Sequence, residues 1–545
     1  MRPPIPLLRT LILLAFLIVP GERLAAQRVA VGDPLEDYAR VISLLDSAPH
    51  ISFAIRPLSD SAWGSVLEGP THLWAAAVDD QRLGAFHLTP MAFRSTFNSK
   101  YASGQNDGLL WQGKGLNTLV EAGATLRKGH FEVTLRPQFT WSANEAFPLA
   151  SVIDSGRSDY ANPWHPYAGK GGNLDVPQRM GPDAYSKMSW GESSARVRAG
   201  GWAFGASSEE MWWGPAQQNP IVLSNNAPGF AHAFLGTIRP VALPGFRFET
   251  QWIWGSLHNS GWSDSIPSNR TRFATGLVAS IQPNVLPGLS LGGSRTYYMN
   301  SPPGGISTGD IFIVFQGFTK RGLATDSNLT GNDKRDQLLT LFARYAPPGS
   351  GFEAYIEWGR NDHSWDLRDF LMEPEHASAS TIGFQKAVRL KNSQLIRVAG
   401  EWTNLQRSLT QLVRPIPSWY THHIVLDGWT QEGQFLGAPI GTGSDGQTLW
   451  GDLFAHWGRA GLLLQRVARD NDALYNILAG NVFEDFESHQ VEIRVQGSGM
   501  VFWRGLEIEG ALGWEKTFNR YMVYTNDVTN LHVELGIRSR LPHLP

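Results

Sequence analysis

From about residue 84 onward, apolar and polar side chains alternate in segments of about ten residues, the period of an extended chain with one greasy and one polar face. Phe131, Val133, Leu135, Phe139 and Trp141 share one face, and Glu132, Thr134, Arg136, Gln138 and Thr140 the other. The pattern returns in Phe246-Phe248-Trp252-Trp254 against Arg247-Glu249-Gln251. It returns again in Phe352-Ala354-Ile356-Trp358 against Glu353-Tyr355-Glu357, and in Leu531-Val533-Leu535-Ile537 against His532-Glu534-Arg538. A sandwich core also alternates, but charge kept to one face with Trp and Tyr near segment ends fits strands that cross a membrane.

The connections alternate in length. Short ones fall at Lys128-Gly129, Ala199-Gly201, Leu243-Gly245, Pro283-Gly288, Pro347-Ser350, Lys391-Ser393, Gly458-Ala460 and Gly497-Arg504. Long ones fall between them, at 98–115, 142–186, 214–230, 257–271, 300–337, 362–378, 405–447, 471–487 and 517–530. The expectation is an all-β fold, a transmembrane antiparallel β-barrel of about 18 strands with both ends on the short-turn side. Two segments are ambiguous. Ala85–Phe97 reads as the first strand but contains Pro90, and Ile311–Phe318 is an apolar run inside a long loop, readable as a strand extension or an inward-folded plug.

Ahead of the barrel the period changes. Arg2 and Arg9 precede the apolar run Leu11–Val19, and Leu24-Ala25-Ala26 offers small residues for cleavage, so residues 1–26 read as a signal peptide. Residues 27–83 read as a small α-helical periplasmic segment and 84–545 as the barrel. Asp33 suits an N-cap, with Pro34 at N1 and Glu36 at N3, and Leu35, Tyr38, Ile42 and Leu45 recur at helical spacing. Asp60–Leu67 and Thr71–Val78 are two shorter helical candidates.

Composition narrows the partners. The 545 residues include 21 Trp, 13 Tyr and 27 Phe but no Cys, which excludes a disulfide or thiolate-metal scaffold and argues against disorder. A formal net charge of −3 gives no reason to expect nucleic acid. Past residue 26 no apolar run is long enough for a transmembrane helix.

The densest chemistry lies in Glu209-Glu210-Met211-Trp212-Trp213-Gly214-Pro215, then Asn219, then Leu223-Ser224-Asn225-Asn226-Ala227-Pro228-Gly229-Phe230 and His232. Strand parity places this loop on the outward side or folded into the lumen. Indole faces suit sugar C–H surfaces and Asn amides suit hydroxyl patterns; a Trp-Gly-Pro turn with Asn residues bonded to their own backbone is the structural alternative. Trp164-His165-Pro166-Tyr167 forms a second aromatic and polar patch. His422-His423 with Asp427 and Glu432 makes a weak metal candidate, since adjacent residues of an extended chain point apart. The acidic stretch from Asp362 to His376 reads as a solvated loop, with divalent cations of the outer leaflet as the alternative ligand, and no Ser, His and Asn or Asp spacing singles out a hydrolase. Arginines such as Arg196, Arg198, Arg295, Arg397 and Arg494 read as polar-face or loop residues paired with neighbouring Glu.

The Trp212–Pro215 run, Asn219, and Leu223–Phe230 with His232, preceded by Asn173-Leu174-Asp175 and Ser193–Arg198, resemble the capsule assembly Wzi family. The resemblance implies an 18-stranded outer-membrane barrel with a helical bundle at its periplasmic end, acting as a non-catalytic lectin that holds capsular polysaccharide at the cell surface. The carbohydrate-binding candidates are then Trp212, Trp213, Asn219, Asn225, Asn226 and His232, with Trp164 and His165 added from the second patch. No cofactor, metal or catalytic residue is expected, and the partners are polysaccharide and outer-membrane lipid around a monomer. The competing expectation is a diffusion porin with the same wall and an open lumen.

Overall fold

The computed structural model describes residues 29–45, 51–59, 62, 72–74, 85–152, 158–165, 174–263, 271–316, 335–361, 366–478 and 487–539. Residues 1–26, read above as a signal peptide, and most of the two shorter helical candidates lie outside the described residues.

The described strands close into one antiparallel barrel of 18 strands. They are β1 (Phe86–Asn98), β2 (Gly115–Lys128), β3 (Phe131–Leu135 continued by Gln138–Ser142), β4 (Tyr185–Ser189 continued by Ser194–Ala199) and β5 (Trp202–Ser207). Then come β6 (His232–Thr237 continued by Val241–Leu243), β7 (Phe246–His258), β8 (Thr271–Pro283), β9 (Leu289–Asn300), β10 (Arg335–Tyr345), β11 (Phe352–Asn361) and β12 (Ser378–Arg389). The wall ends with β13 (Leu395–Asn404), β14 (Asp445–Ala455), β15 (Gly458–Arg469), β16 (Gln490–Trp503), β17 (Leu506–Phe518) and β18 (Val528–Ser539). Closure is made by β1 on β18, with Ala92 opposite Arg538 and Asn98 opposite His532.

Alternation sets which side chains face out. On β3, Phe131, Val133, Leu135, Phe139 and Trp141 are exposed, while Glu132, Gln138 and Thr140 are buried inside. Exposed apolar residues recur around the wall, among them Leu291, Leu341, Ile382, Val398, Leu462 and Leu535. A belt of this kind is stable only against lipid, so the barrel spans a membrane.

Pro90 is accommodated as its chemistry requires. The β1–β2 register shifts between Thr89 and Ala92, a bulge at the residue that has no N–H for the ladder. Two expected turns lie elsewhere. Gly458 opens β15 after a turn at residues 456–457. Gly497 stays inside β16, paired with Leu462 on one side and Leu512 on the other, and the chain reverses at Arg504-Gly505, both with positive φ. Glycine inside a strand bonded on both sides is not a turn signal.

Helix α1 (Pro34–Leu45) begins as expected: Asp33 accepts the Leu35 N–H at 2.9 Å, and the Glu36 carboxylate accepts from Gly32 N at 3.0 Å. It does not stand apart from the barrel. Tyr38, Val41 and Ile42 pack with Phe53, Leu395, Phe454 and Met500, and Tyr38 stacks on Trp74 at 4.1 Å, so the helix stoppers the short-turn end. The apolar run near Ile311 is neither strand nor inward plug. It forms α2 (Thr308–Ile311) and a 3-10 turn (Ile313–Phe315) on the outside of the wall.

Candidate functional site

The lumen is filled from both ends, and the filling is held by wall carboxylates. The loop after β5 descends inside, and Trp212–Trp213 pairs antiparallel with Ile55–Arg56, which enters from the short-turn end. Gly214 N donates to Ala54 O at 2.8 Å. Wall residue Glu357 accepts the N–H groups of Ala216 (2.8 Å) and Ile221 (3.0 Å). Glu401 accepts those of Gln217 and Asn219, both at 2.7 Å, and the Tyr355 hydroxyl at 2.7 Å. The carbonyl side of the same turn is held from the N-terminal segment: Arg40 donates to Pro215 O at 2.6 Å and Arg56 to Ala216 O at 3.0 Å. Pro215 and Pro220 lack N–H groups, so they interrupt the turn without leaving a donor stranded.

The N-terminal segment is in turn tied to the wall by charge. Arg40 bonds Glu353, which also accepts from Arg344. Asp37 pairs with Arg397 at 2.9 Å and Arg459 at 2.8 Å, and Asp33 with Arg538 at 2.6 Å. Burial opposes ionisation of Asp37, but the two guanidinium groups outweigh it and hold its carboxyl below the usual range. Glu36 goes the other way: burial raises it despite Arg56 at 3.5 Å. Burial also brings Arg56 down to about 10, with Glu36 opposing.

Other long loops lock onto this core. Tyr420 OH donates to Ile221 O and Trp429 Nε1 to Val222 O, each at 2.7 Å. Ser224 N donates to Leu436 O, and Gly108 N to Asn225 O, at 2.7 Å each. Trp419, Tyr420, Trp429, Phe230 and Trp213 thus share one apolar core inside the barrel. A cavity of about 250 Å3 is left between α1, Trp212 and strands β13 to β16, edged by Arg40, Arg397, Trp450, Gln496 and Ser498.

The motif residues sit deep in this filling. Trp212 and Trp213 are 3 % and 2 % exposed. The Arg56 guanidinium lies 4.4 Å over the Trp212 ring, and Trp213 donates to Gln251 at 2.9 Å. Room for the Trp213 ring comes from Gly276 on β8, where a Cβ would stand 2.9 Å from it. Asn219, Asn225, Asn226 and His232 are also buried; Asn226 donates to Phe435 O at 2.9 Å, and the His232 ring meets Phe230 O at 2.8 Å. The structure brings these six together as one interior unit and covers the faces that an outward loop would have presented. Trp164 and His165 lie apart, half-buried at the long-loop rim, where His165 Nε2 meets Asp470 at 2.6 Å. Burial disfavours the imidazolium, but Asp470 prevails and raises the His165 pKa above its usual value.

The weaker candidates resolve into structure. Val425 N donates to His422 Nδ1 at 3.1 Å, and Glu432 pairs with Lys187. Asp366 caps helix α3 (Leu367–Met372), while Asp369 and Glu373 bind Arg414. Most interior arginines are paired: Arg198 with Glu132 at 2.8 Å, Arg196 with Glu209 at 2.9 Å, and Arg494 with Glu515 at 2.8 Å. Of the two acids that hold the motif loop, Glu357 reads from sequence only as a polar-face residue and Glu401 carries no signal of its own; the acids opposite a loop cannot be read until the loop's path is known.

A family model described as capsule assembly protein Wzi matches residues 85–530, most of the chain. The chain belongs to the Wzi capsule assembly family. Among solved structures, the outer-membrane protein Wzi of Escherichia coli, described as a carbohydrate-binding β-barrel involved in group 1 capsule assembly, is 13% identical, with a TM-score of 0.63 over 95% of this chain and 100% of that one. The outer-membrane protein OprD of Pseudomonas aeruginosa is 9% identical, with a TM-score of 0.39 over 85% of this chain and 95% of that one. Comparison with curated protein sequences found no match. The Wzi family match begins at β1 and so leaves out α1, yet α1 and its following strand are what grip the Trp-Trp-Gly-Pro turn of this Wzi-family barrel.

Proposed function

We propose that this chain is a non-catalytic outer-membrane lectin that attaches capsular or extracellular polysaccharide to the cell surface and assists capsule assembly. The reading rests on one observation: a barrel of the Wzi family whose lumen is packed with its own loops and N-terminal segment. A diffusion porin, the competing reading, needs a continuous aqueous path, and the interlocked aromatic core runs counter to that.

In this reading the protein is exported on a leader cleaved after residue 26 and acts as a monomer. Its long-loop rim faces the outside and its short-turn rim the periplasm. The candidates divide by position. Trp164, at the rim, takes the polysaccharide directly with an indole face against sugar C–H groups, while His165, bonded to Asp470, fixes the loop that presents it. Trp212, Trp213, Asn219, Asn225, Asn226 and His232 form the floor that fixes the loops presenting that surface.

The test compares cell-bound with shed polysaccharide in a deletion strain and its complemented parent. Unchanged total with a shift into the medium supports an attachment lectin. An unmoved partition overturns the reading, and a steady conductance through the purified barrel in planar bilayers would install the porin in its place.

A further inference from the structure

Outward-facing arginines stand on the lipid-side wall, each covered by a short helix that leaves a long loop. Arg295 on β9 shares its face with exposed Leu291, and lies directly across from Leu277 on β8 and Leu339 on β10. Leu339 in turn lies across from Arg360 on β11. A bare guanidinium facing lipid is unfavourable. Neither is bare. Arg295 donates to Val314 O at 3.1 Å and to Gln316 O at 2.5 Å, from the turn that follows α2, and to Gln337 at 2.8 Å. Arg360 donates to Glu373 O, just past α3, and lies 5.4 Å from the Phe370 ring, which meets Trp358 edge-on at 6.0 Å.

The covers satisfy the donors at their own helix ends. In α2, Ser307 and Asp310 cap each other's backbone N–H groups reciprocally, and in α3 Asp366 caps the Asp369 N–H. These caps satisfy donors that water would otherwise take up. The outer surfaces of the covers carry large apolar groups, with Arg368 and Glu375 of the α3 loop exposed among them. Phe312 and Phe315 are exposed beside Trp252, and Leu367 and Leu371 project from α3. Arg414, bonded to Asp369 and Glu373, ties on the turn Leu409–Leu412, where Leu409, Leu412 and Val413 are 83 %, 80 % and 84 % exposed. So large a run of exposed apolar groups marks a contact surface.

We propose that α2, α3 and the Leu409–Leu412 turn form a half-collar seated in the acyl chains of the outer leaflet, on the β7 to β13 side of the barrel. The occupant is lipid because the surface continues the exposed apolar belt of the wall and because the covers meet the two outward-facing wall arginines, Arg295 and Arg360, that lipid would reject. The half-collar pins three of the long loops to the membrane plane, independently of any polysaccharide.

The absence of Cys from the chain makes the test direct. An environment-sensitive dye is attached to single-cysteine variants Phe315→Cys and Leu412→Cys in proteoliposomes containing acyl-brominated phosphatidylcholine. Leu341→Cys on the belt gives the lipid reference, and Asn392→Cys in a short turn the water reference. Heat-resistant electrophoretic mobility establishes that each variant is folded. Blue-shifted, bromine-quenched emission at both sites, matching Leu341→Cys, is the expected result. Emission matching Asn392→Cys overturns the proposal. So does efficient disulfide formation between copies through either cysteine, which would make a second barrel the occupant.

Discussion

Glu357 and Glu401, on β11 and β13, divide one loop backbone between them: the first takes the N–H groups of Ala216 and Ile221, the second those of Gln217 and Asn219. Two wall carboxylates thus stand in for the partners that a loop normally finds in water. Leaving a buried donor unmet costs about 1–3 kcal/mol. Glu401→Leu is therefore expected to loosen the plug by at least about 2 kcal/mol while the wall stays intact. Single-channel recording checks this: intermittent conductance steps should appear in the variant, and a silent variant with parental stability would refute the role given to Glu401.

Gly276→Ala tests the seat of Trp213. The added methyl meets the indole at 2.9 Å, inside normal contact, and overpacking of this kind costs about 1–3 kcal/mol. The expected outcome is a lower unfolding midpoint and reduced cell-bound polysaccharide, with surface expression retained. Trp213→Ala should cost more, about 3–5 kcal/mol.

Arg40→Met should free the N-terminal segment without stranding its partner. Glu353 keeps Arg344 and the Gln385 amide at 2.7 Å, but Pro215 O loses its donor. Limited trypsin digestion reads the result as new cleavage ahead of β1 with an otherwise resistant barrel.

The His165–Asp470 contact carries a pH dependence with a definite sign. The folded pKa of His165 lies above the unfolded value of about 6.5. Its contribution is fully present below that unfolded value and is lost as pH rises through the folded one. Protease sensitivity of the loop between β3 and β4 should rise across that window in the parent. In His165→Gln it should be flat.

Arg295→Leu probes docking of α2 onto the wall. The substitution suits a lipid-facing position but leaves Val314 O and Gln337 without their donor. Barrel stability should hold within about 1 kcal/mol, while hydrogen exchange across residues 308–316 accelerates. Unchanged exchange would show that apolar contact alone holds the cover.

The wall was legible in the sequence because a strand between lipid and a polar lumen must alternate at every step, and because turn lengths differ on the two rims. Even Pro90 fitted once a bulge was allowed. The paths of the loops were not legible. The run at Ile311 announced an apolar surface but not the side of the wall it would cover, and Arg295, grouped by its charge with the polar faces, proved to point outward beneath it. Likewise Trp212 and Trp213 stood out as a motif, while their burial depended on Arg56, Gly276 and Glu357, far away in sequence.

The ladder joining Ile55–Arg56 to Trp212–Trp213 has a consequence for the order in which the molecule is made. Its two halves reach the interior through opposite mouths, from positions some 158 residues apart. Neither has its docking surface until β11, which carries Glu353 and Glu357, and β13, which carries Glu401, both stand in the wall with β12 between them. The seal must therefore follow the enclosure, so a newly inserted molecule passes through a hollow stage before it becomes solid, and its final maturation step is hidden inside a wall already complete.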